Sequence, residues 1–210
     1  MSEDIYVQYG CGLSAPEGWW NFDSSPTLRF ERLPIVGRLY TRNSLRFPDS
    51  VRYGDVVKGL PIPASSCAGV YCSHVLEHLS LEDFRKSLNN TFHMLKAGGV
   101  FRLVLPDLER EIEKYRGNKV ATAAMDFMKE TCLGRERRPR NLKSWIVSWL
   151  GASQHLWMWD YRAIEVELKN AGFVYIRRAN FDDCQDERFK EAEDKNRWDN
   201  CLEVECKKPV

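Results

Sequence analysis

Val51-Arg52-Tyr53-Gly54-Asp55, then Gly69-Val70-Tyr71-Cys72-Ser73-His74-Val75-Leu76-Glu77-His78-Leu79-Ser80, then Val100-Phe101-Arg102-Leu103-Val104-Leu105-Pro106-Asp107 together decide the fold. The first and last runs have strand length and strand composition. The middle run starts as an apolar strand and ends in a string of polar groups. Ser80 is a good helix N-cap, with Asp83 three residues on. After it Leu81, Phe84, Leu88, Phe92 and Leu95 recur at steps of three and four, which draws one apolar helix face. Gly98-Gly99 is expected to end that helix before the strand that starts at Val100. Strand, loop, strand, helix, strand at this spacing is an α/β crossover unit, and it predicts a parallel sheet.

Outward from that unit, Ile5-Tyr6-Val7-Gln8-Tyr9 reads as a first strand running into Gly10-Cys11-Gly12. Ligands of α/β sheets gather at the carboxyl ends of strands, where glycine lets backbone approach them closely. Gly18-Trp19-Trp20-Asn21-Phe22-Asp23 reads as a second strand ending on an acid. The glycine turn lies too close to Asp23, and lacks the third glycine, for a dinucleotide fingerprint. The crossover helix between these two strands is therefore expected to be shortened or lost. Asp23 then either receives ribose hydroxyls or caps the Ser24-Ser25-Pro26 turn.

Beyond Asp107 the sheet pattern stops for a long stretch, expected to be a helical insertion over about 108–159, with helices at Leu108–Tyr115 and Lys119–Leu133. It carries a basic run, Arg135-Glu136-Arg137-Arg138-Pro139-Arg140, and the tryptophans Trp145, Trp149, Trp157 and Trp159 with His155 between them. The basic run reads as a solvated face or an anion site. Asp160 caps a last helix ending at Gly172, Phe173–Ile176 is a strand, and 182–200 reads as charged loop or frayed helix. Cys201-Leu202-Glu203-Val204-Glu205-Cys206 alternates as a final antiparallel strand.

The bulk properties narrow the function classes. At 210 residues the chain fits one domain, read here as 1–210. A net charge of +1 gives no field that would draw nucleic acid or a membrane surface. No apolar run reaches spanning length, and the N-terminus lacks the parts of a signal peptide. Seven cysteines without a C-x-x-C pair argue against a disulfide framework or zinc knuckle and suit a reducing cytoplasm.

The run containing Asp55, Leu60-Pro61-Ile62-Pro63, Val70-Tyr71-Cys72-Ser73-His74-Val75-Leu76-Glu77-His78-Leu79 and Leu95-Lys96-Ala97-Gly98-Gly99-Val100 resembles the middle of a class I S-adenosylmethionine-dependent methyltransferase. It is closest to small enzymes carrying a Val-Leu-Glu-His-Leu signature after the fourth strand. Gly18-Trp19-Trp20-Asn21-Phe22-Asp23 and His155-Leu156-Trp157-Met158-Trp159-Asp160 resemble the same group, and the likeness extends weakly from Tyr6 to about Phe173. It implies a three-layer, Rossmann-like α/β fold with a mostly parallel seven-stranded sheet and an antiparallel last strand. It also implies S-adenosylmethionine as cofactor, held by Tyr9, Gly10, Cys11, Gly12, Asp23, Asp55, Val56 and Ser73. Asp55 and Val56 would face the adenine edge.

Methyl transfer from a sulfonium is largely alignment, and an oxygen acceptor gains from a base near neutral pKa. His74, Glu77 and His78 are the catalytic candidates. His155, Trp157 and Arg138 are the candidates for holding a small-molecule or saccharide acceptor. Two alternatives stand beside this O-methyltransferase: a cofactor-binding relative without catalysis and, distantly, a zinc hydrolase using His74-x-x-Glu77-His78 as an inverted zincin motif. With no third protein ligand evident in the sequence, no resident metal is expected.

Overall fold

The computed structural model describes residues 4–34, 37, 46–136, 140–141 and 154–210. Its seven strands are β1 (Ile5–Tyr9), β2 (Trp19–Asp23), β3 (Arg52–Tyr53), β4 (Cys67–Ser73), β5 (Leu95–Pro106), β6 (Val174–Arg178) and β7 (Cys201–Lys207). They lie side by side in the order β3-β2-β1-β4-β5-β7-β6. All neighbours from β3 to β5 run parallel, while β7 is antiparallel to both β5 and β6. Reversal of strand order on either side of β1 and β4 puts the topological switch point beside the glycine turn.

Alternation along the strands gives the sheet two faces of different cover. Val7, Tyr9, Phe22, Val70, Cys72, Phe101, Leu103, Leu202 and Val204 share one core. Helices α2 (Leu81–Met94) and α5 (Tyr161–Asn170) close it, through Phe84, Leu88, Ile164 and Leu168. Both helices start as the sequence expects. Ser80 Oγ accepts from the Asp83 N–H at 3.2 Å, and Asp160 Oδ1 from the Ala163 N–H at 2.8 Å. The remaining described helices are α1 (Pro26–Glu31), α3 (Leu108–Gly117), α4 (Ala123–Glu130) and α6 (Lys195–Trp198).

The opposite face carries Tyr6, Trp19, Tyr71 and Val104. Residues 10–18 join β1 to β2 through turns, without a helix, so no crossover there covers these rings. The connection from β6 to β7 covers them instead, contributing Cys184, Phe189, Ala192 and Trp198. It is stitched across the sheet by Tyr6 Oη donating to Asp186 (2.6 Å), Trp19 Nε1 to Glu191 (3.1 Å) and Trp198 Nε1 to Tyr71 Oη (3.0 Å). The expected charged loop or frayed helix is thus a packed layer with two short helical turns, Glu187–Glu191 and α6. A buried phenylalanine side chain is worth about 1.5–3 kcal/mol, enough to hold such a segment down.

Arg102 of β5 locks that layer. It is fully buried and meets Asp183 at 3.0 Å, Glu193 at 2.7 Å and Glu205 at 2.6 Å. Burial opposes its charge, but the carboxylates more than offset this and hold the guanidinium protonated. Arg177 adds bonds to Asp183 and Glu205 from β6.

Other boundaries differ from the sequence reading. Helix α2 stops at Met94 rather than at Gly98-Gly99, because Leu95 already pairs with Cys67 in the sheet. Gly98 instead takes a left-handed φ of +73° within β5, where its N–H meets the Lys208 carbonyl. Strand β3 ends at Tyr53, so Asp55 and Val56 follow the strand rather than close it. Asp55 Oδ1 accepts from the Val57 N–H at 3.0 Å and folds the chain into a turn. Between β5 and α5 the described residues contain α3 and α4, and α4 is shorter than the expected Lys119–Leu133.

Candidate active site

The carboxyl ends of the parallel strands deliver the functional groups. After β1, Gly10 and Gly12 both take left-handed φ values, +64° and +56°. A Cβ on Gly10 would lie 2.1 Å from Val75 Cγ2, so the turn packs directly against the segment leaving β4. A Cβ on Gly12 would meet nothing within 4 Å, so that side of the turn is open. Asp23, at the end of β2, is buried and accepts from the Gly12 N–H at 3.0 Å and the Ser25 N–H at 2.7 Å. It therefore caps the turn before α1 and ties it to the glycine turn. Each oxygen keeps a lone pair. Asp55 is partly exposed, with Lys58 at 3.2 Å, and the neighbouring Val56 is buried.

Three other residues expected near the cofactor have side chains that face inward. Tyr9 is buried, with its hydroxyl accepting from Thr91 at 3.3 Å. Cys11 sits in a small core with Leu28, Phe47 and Val51, and burial pushes its thiol up to about 12. Ser73 is buried, and its carbonyl accepts a hydrogen bond from the Arg197 guanidinium.

His74 follows β4 with a left-handed φ of +55°, a conformation that costs a non-glycine residue about 1–2 kcal/mol. Its Nε2 lies 2.9 Å from the Arg197 carbonyl and 3.6 Å from Cys201 Sγ. Its Nδ1 lies 3.3 Å from Glu77 Oε1. Burial disfavours the charged ring, but Cys201, Glu77 and the Arg197 carbonyl outweigh it and raise the imidazole to about 10.

The chain then makes a single 3₁₀ turn, Leu76–His78, with Leu76 anchored in the core. That turn buries the Glu77 side chain completely and leaves both carboxylate oxygens without a hydrogen-bond partner. His78 stands on the other side, Nε2 4.0 Å from Glu77 Oε1, with Nδ1 3.0 Å from the Gln154 carbonyl.

The segment returning to α5 runs alongside this turn. The Glu77 carbonyl accepts from the N–H groups of Leu156 (2.8 Å) and Trp157 (3.2 Å). His155 is thereby set 5.0 Å from His78, ring centre to ring centre. Burial lowers its pKa against the pull of Glu77, and its Nδ1 has no hydrogen-bond partner. Trp157 is exposed and lies 6.0 Å from Trp159, which is buried and stacked on Phe84 at 4.2 Å. Residues 107 and 159 form a parallel bridge, which ties the returning segment to the end of β5.

The structure thus gathers His74, Glu77, His78, His155 and Trp157 at one edge, next to the glycine turn through Val75. Arg138 lies outside the described residues, as do Trp145 and Trp149. Arg197, Gln154 and Val75 were not singled out in the sequence. Arg197 sits in a charged run with no periodicity to mark it, whereas Val75 lies inside the motif itself.

Residues 30–103 match a family model described as a methyltransferase domain. No curated protein matches the sequence. Among solved structures, a SAM-dependent methyltransferase from Archaeoglobus fulgidus is 13% identical with a TM-score of 0.53, over 98% of this chain and 86% of its own. The methyltransferase in complex with the Trm112 activator of Haloferax volcanii is 16% identical with a TM-score of 0.50, over 99% and 83%. Phosphoethanolamine N-methyltransferase 2 of Haemonchus contortus, solved with phosphomonomethylethanolamine and S-adenosylhomocysteine, is 13% identical with a TM-score of 0.50, over 100% and 49%. These likenesses establish the fold, and the domain match adds the activity. The match marks residues 30–103 as a methyltransferase domain, and with the shared fold it supports an enzyme that uses S-adenosylmethionine. Among the described residues no helix is long and apolar enough to cross a membrane.

Proposed function

We propose that this methyltransferase acts on a hydroxyl oxygen of a small-molecule or saccharide acceptor. The observation that carries the reading is the buried Glu77 carboxylate flanked by His74, His78 and His155 at the carboxyl end of β4. An amine acceptor brings its own lone pair at neutral pH, whereas a hydroxyl must shed a proton as the new bond forms. Basic nitrogens collected beside the glycine turn suit that requirement. His74, with both ring nitrogens engaged, steadies Glu77, while His78 and His155 face the acceptor. Trp157 forms the aromatic wall against which a sugar or ring-bearing acceptor packs, and Arg138 remains a candidate for an acidic group on it.

The cofactor residues fit a nucleoside. The open side of Gly12 leaves room for backbone approach, the free lone pairs of Asp23 suit ribose hydroxyls, and the turn at Asp55 and Val56 offers an acid and a backbone N–H to adenine. Tyr9, Gly10, Cys11 and Ser73 contribute backbone. When bound, S-adenosylmethionine supplies an electrophilic methyl group. A cytoplasmic location accompanies this reading, since all seven cysteines are free thiols.

The test is transfer from cofactor labelled in its methyl group to a panel of hydroxyl, amine and carbon acceptors. Label should appear in a methyl ether, and Trp157→Ala should raise the acceptor KM with little change in kcat. Label found only on nitrogen or carbon would overturn the O-methylation reading.

A further inference from the structure

We propose that Glu77, His78 and His155 form a binding site for a first-row divalent cation of the zinc type. One ligand atom from each residue can be chosen so that all three lie within 4.8 Å of one another. Zinc bonds of about 2.0–2.2 Å put neighbouring ligand atoms roughly 3–4 Å apart in a tetrahedral site. The pair from Glu77 to His78, at 4.0 Å, already has that spacing and is too long for a hydrogen bond.

Three further features point to a cation rather than to a packing accident. Glu77 is completely buried, yet neither carboxylate oxygen has a hydrogen-bond partner. His74, 3.3 Å from Oε1, offsets part of that buried charge, and a cation shared with His78 and His155 would complete it. His74 Nδ1, at 3.3 Å, and His78 Nε2, at 4.0 Å, both face Oε1, while Oε2 carries no hydrogen-bond partner. The His78 ring uses Nδ1 on the Gln154 carbonyl, which turns the Nε2 lone pair toward Glu77. That is how a backbone carbonyl orients a metal-bound imidazole. His155 likewise keeps Nδ1 buried and unpartnered. Two imidazoles and one carboxylate form a three-ligand set that leaves a coordination position open, as catalytic zinc sites do.

The site stands on this geometry alone, and only its use rests on the O-methylation reading. With a metal bound, His78 and His155 would act as ligands rather than bases, and an acceptor hydroxyl at the open position would release its proton to solvent more readily. Its oxygen would then form the new bond to the methyl carbon as the bond to sulfur breaks, with that electron pair returning to sulfur.

The experiment is calorimetric titration of chelator-treated protein with Zn²⁺ and, separately, with Mn²⁺. One equivalent of Zn²⁺ should bind per chain. His78→Ala and His155→Ala should each weaken it at least about a hundredfold, more than an outer-shell change typically costs. His93→Ala, on the exposed side of α2, should leave it unchanged. Co²⁺ loading gives a second readout, a visible absorption band that disappears in His155→Ala. Absence of one-to-one binding by folded protein, or binding indifferent to both histidine variants, would overturn the site. Titration of the same metal-free protein with S-adenosylhomocysteine keeps failure of the metal site separate from failure of the methyltransferase reading.

Discussion

Arg102→Met is expected to destabilise the protein by about 3–5 kcal/mol, the usual cost of stripping one partner from a buried ion pair. The replacement fills a similar volume, so a cavity is not the cause. Its effect is to strip Glu193 beneath the β6–β7 layer of the Arg102 guanidinium, while Asp183 and Glu205 are left with Arg177. That layer substitutes for a crossover helix between β1 and β2, so its loss exposes Tyr6, Trp19 and Tyr71 together. The midpoint of urea unfolding measures the effect. A loss below about 1 kcal/mol would show that the network is dispensable and that apolar contacts alone hold the layer.

Gly10→Ala is expected to cost about 2–4 kcal/mol. Part is the left-handed backbone, about 1–2 kcal/mol for a residue with a Cβ, and the remainder is overpacking. Val75 provides the obstruction, since a new Cβ would lie 2.1 Å from it. Relief requires moving the segment that positions His74 and Glu77, so turnover should fall alongside stability. Gly12→Ala is the contrasting case. Its φ is similar, but the Cβ would enter open space, so it should cost only the backbone share. Its larger effect should be on nucleoside affinity. Parallel unfolding curves and S-adenosylhomocysteine titrations of the two variants measure both effects. Equal stabilities would refute the packing of Gly10 on Val75.

The parallel half of the sheet was legible because its signals are local. Ile5–Tyr9 was delimited by an apolar run and a glycine, and α2 by its cap and its apolar stripe. Two boundaries differ, one where tertiary pairing overrode local text and one where a local Asp turn ended the strand early. Leu95 joined the sheet ahead of Gly98-Gly99, and Asp55 turned the chain just past a very short β3. The largest surprise, the packed layer over 179–200, had no local signature. Phe189 and Trp198 lie among charged residues at irregular spacing, and what they cover is supplied by strands far away in sequence. At the site, the motif His74-x-x-Glu77-His78 was visible, but the engagement of His74 by Arg197 was not. The proximity of His155 to Glu77 comes from topology, because the segment leaves β5 and returns to α5 at the same edge of the sheet. The hydrogen bonds that seat it there are backbone bonds, to which side-chain patterns are blind.

The most direct measurement of the central claim is calorimetric titration of the folded protein with S-adenosylhomocysteine, repeated for Asp23→Ala. The wild type should bind one equivalent. The variant should bind about tenfold to a hundredfold more weakly, the equivalent of roughly 1.5–3 kcal/mol for hydrogen bonds to a charged carboxylate. Wild-type affinity in Asp23→Ala would reduce Asp23 to a cap on the turn before α1. A correctly folded wild type that binds neither S-adenosylhomocysteine nor S-adenosylmethionine would contradict the account as a whole.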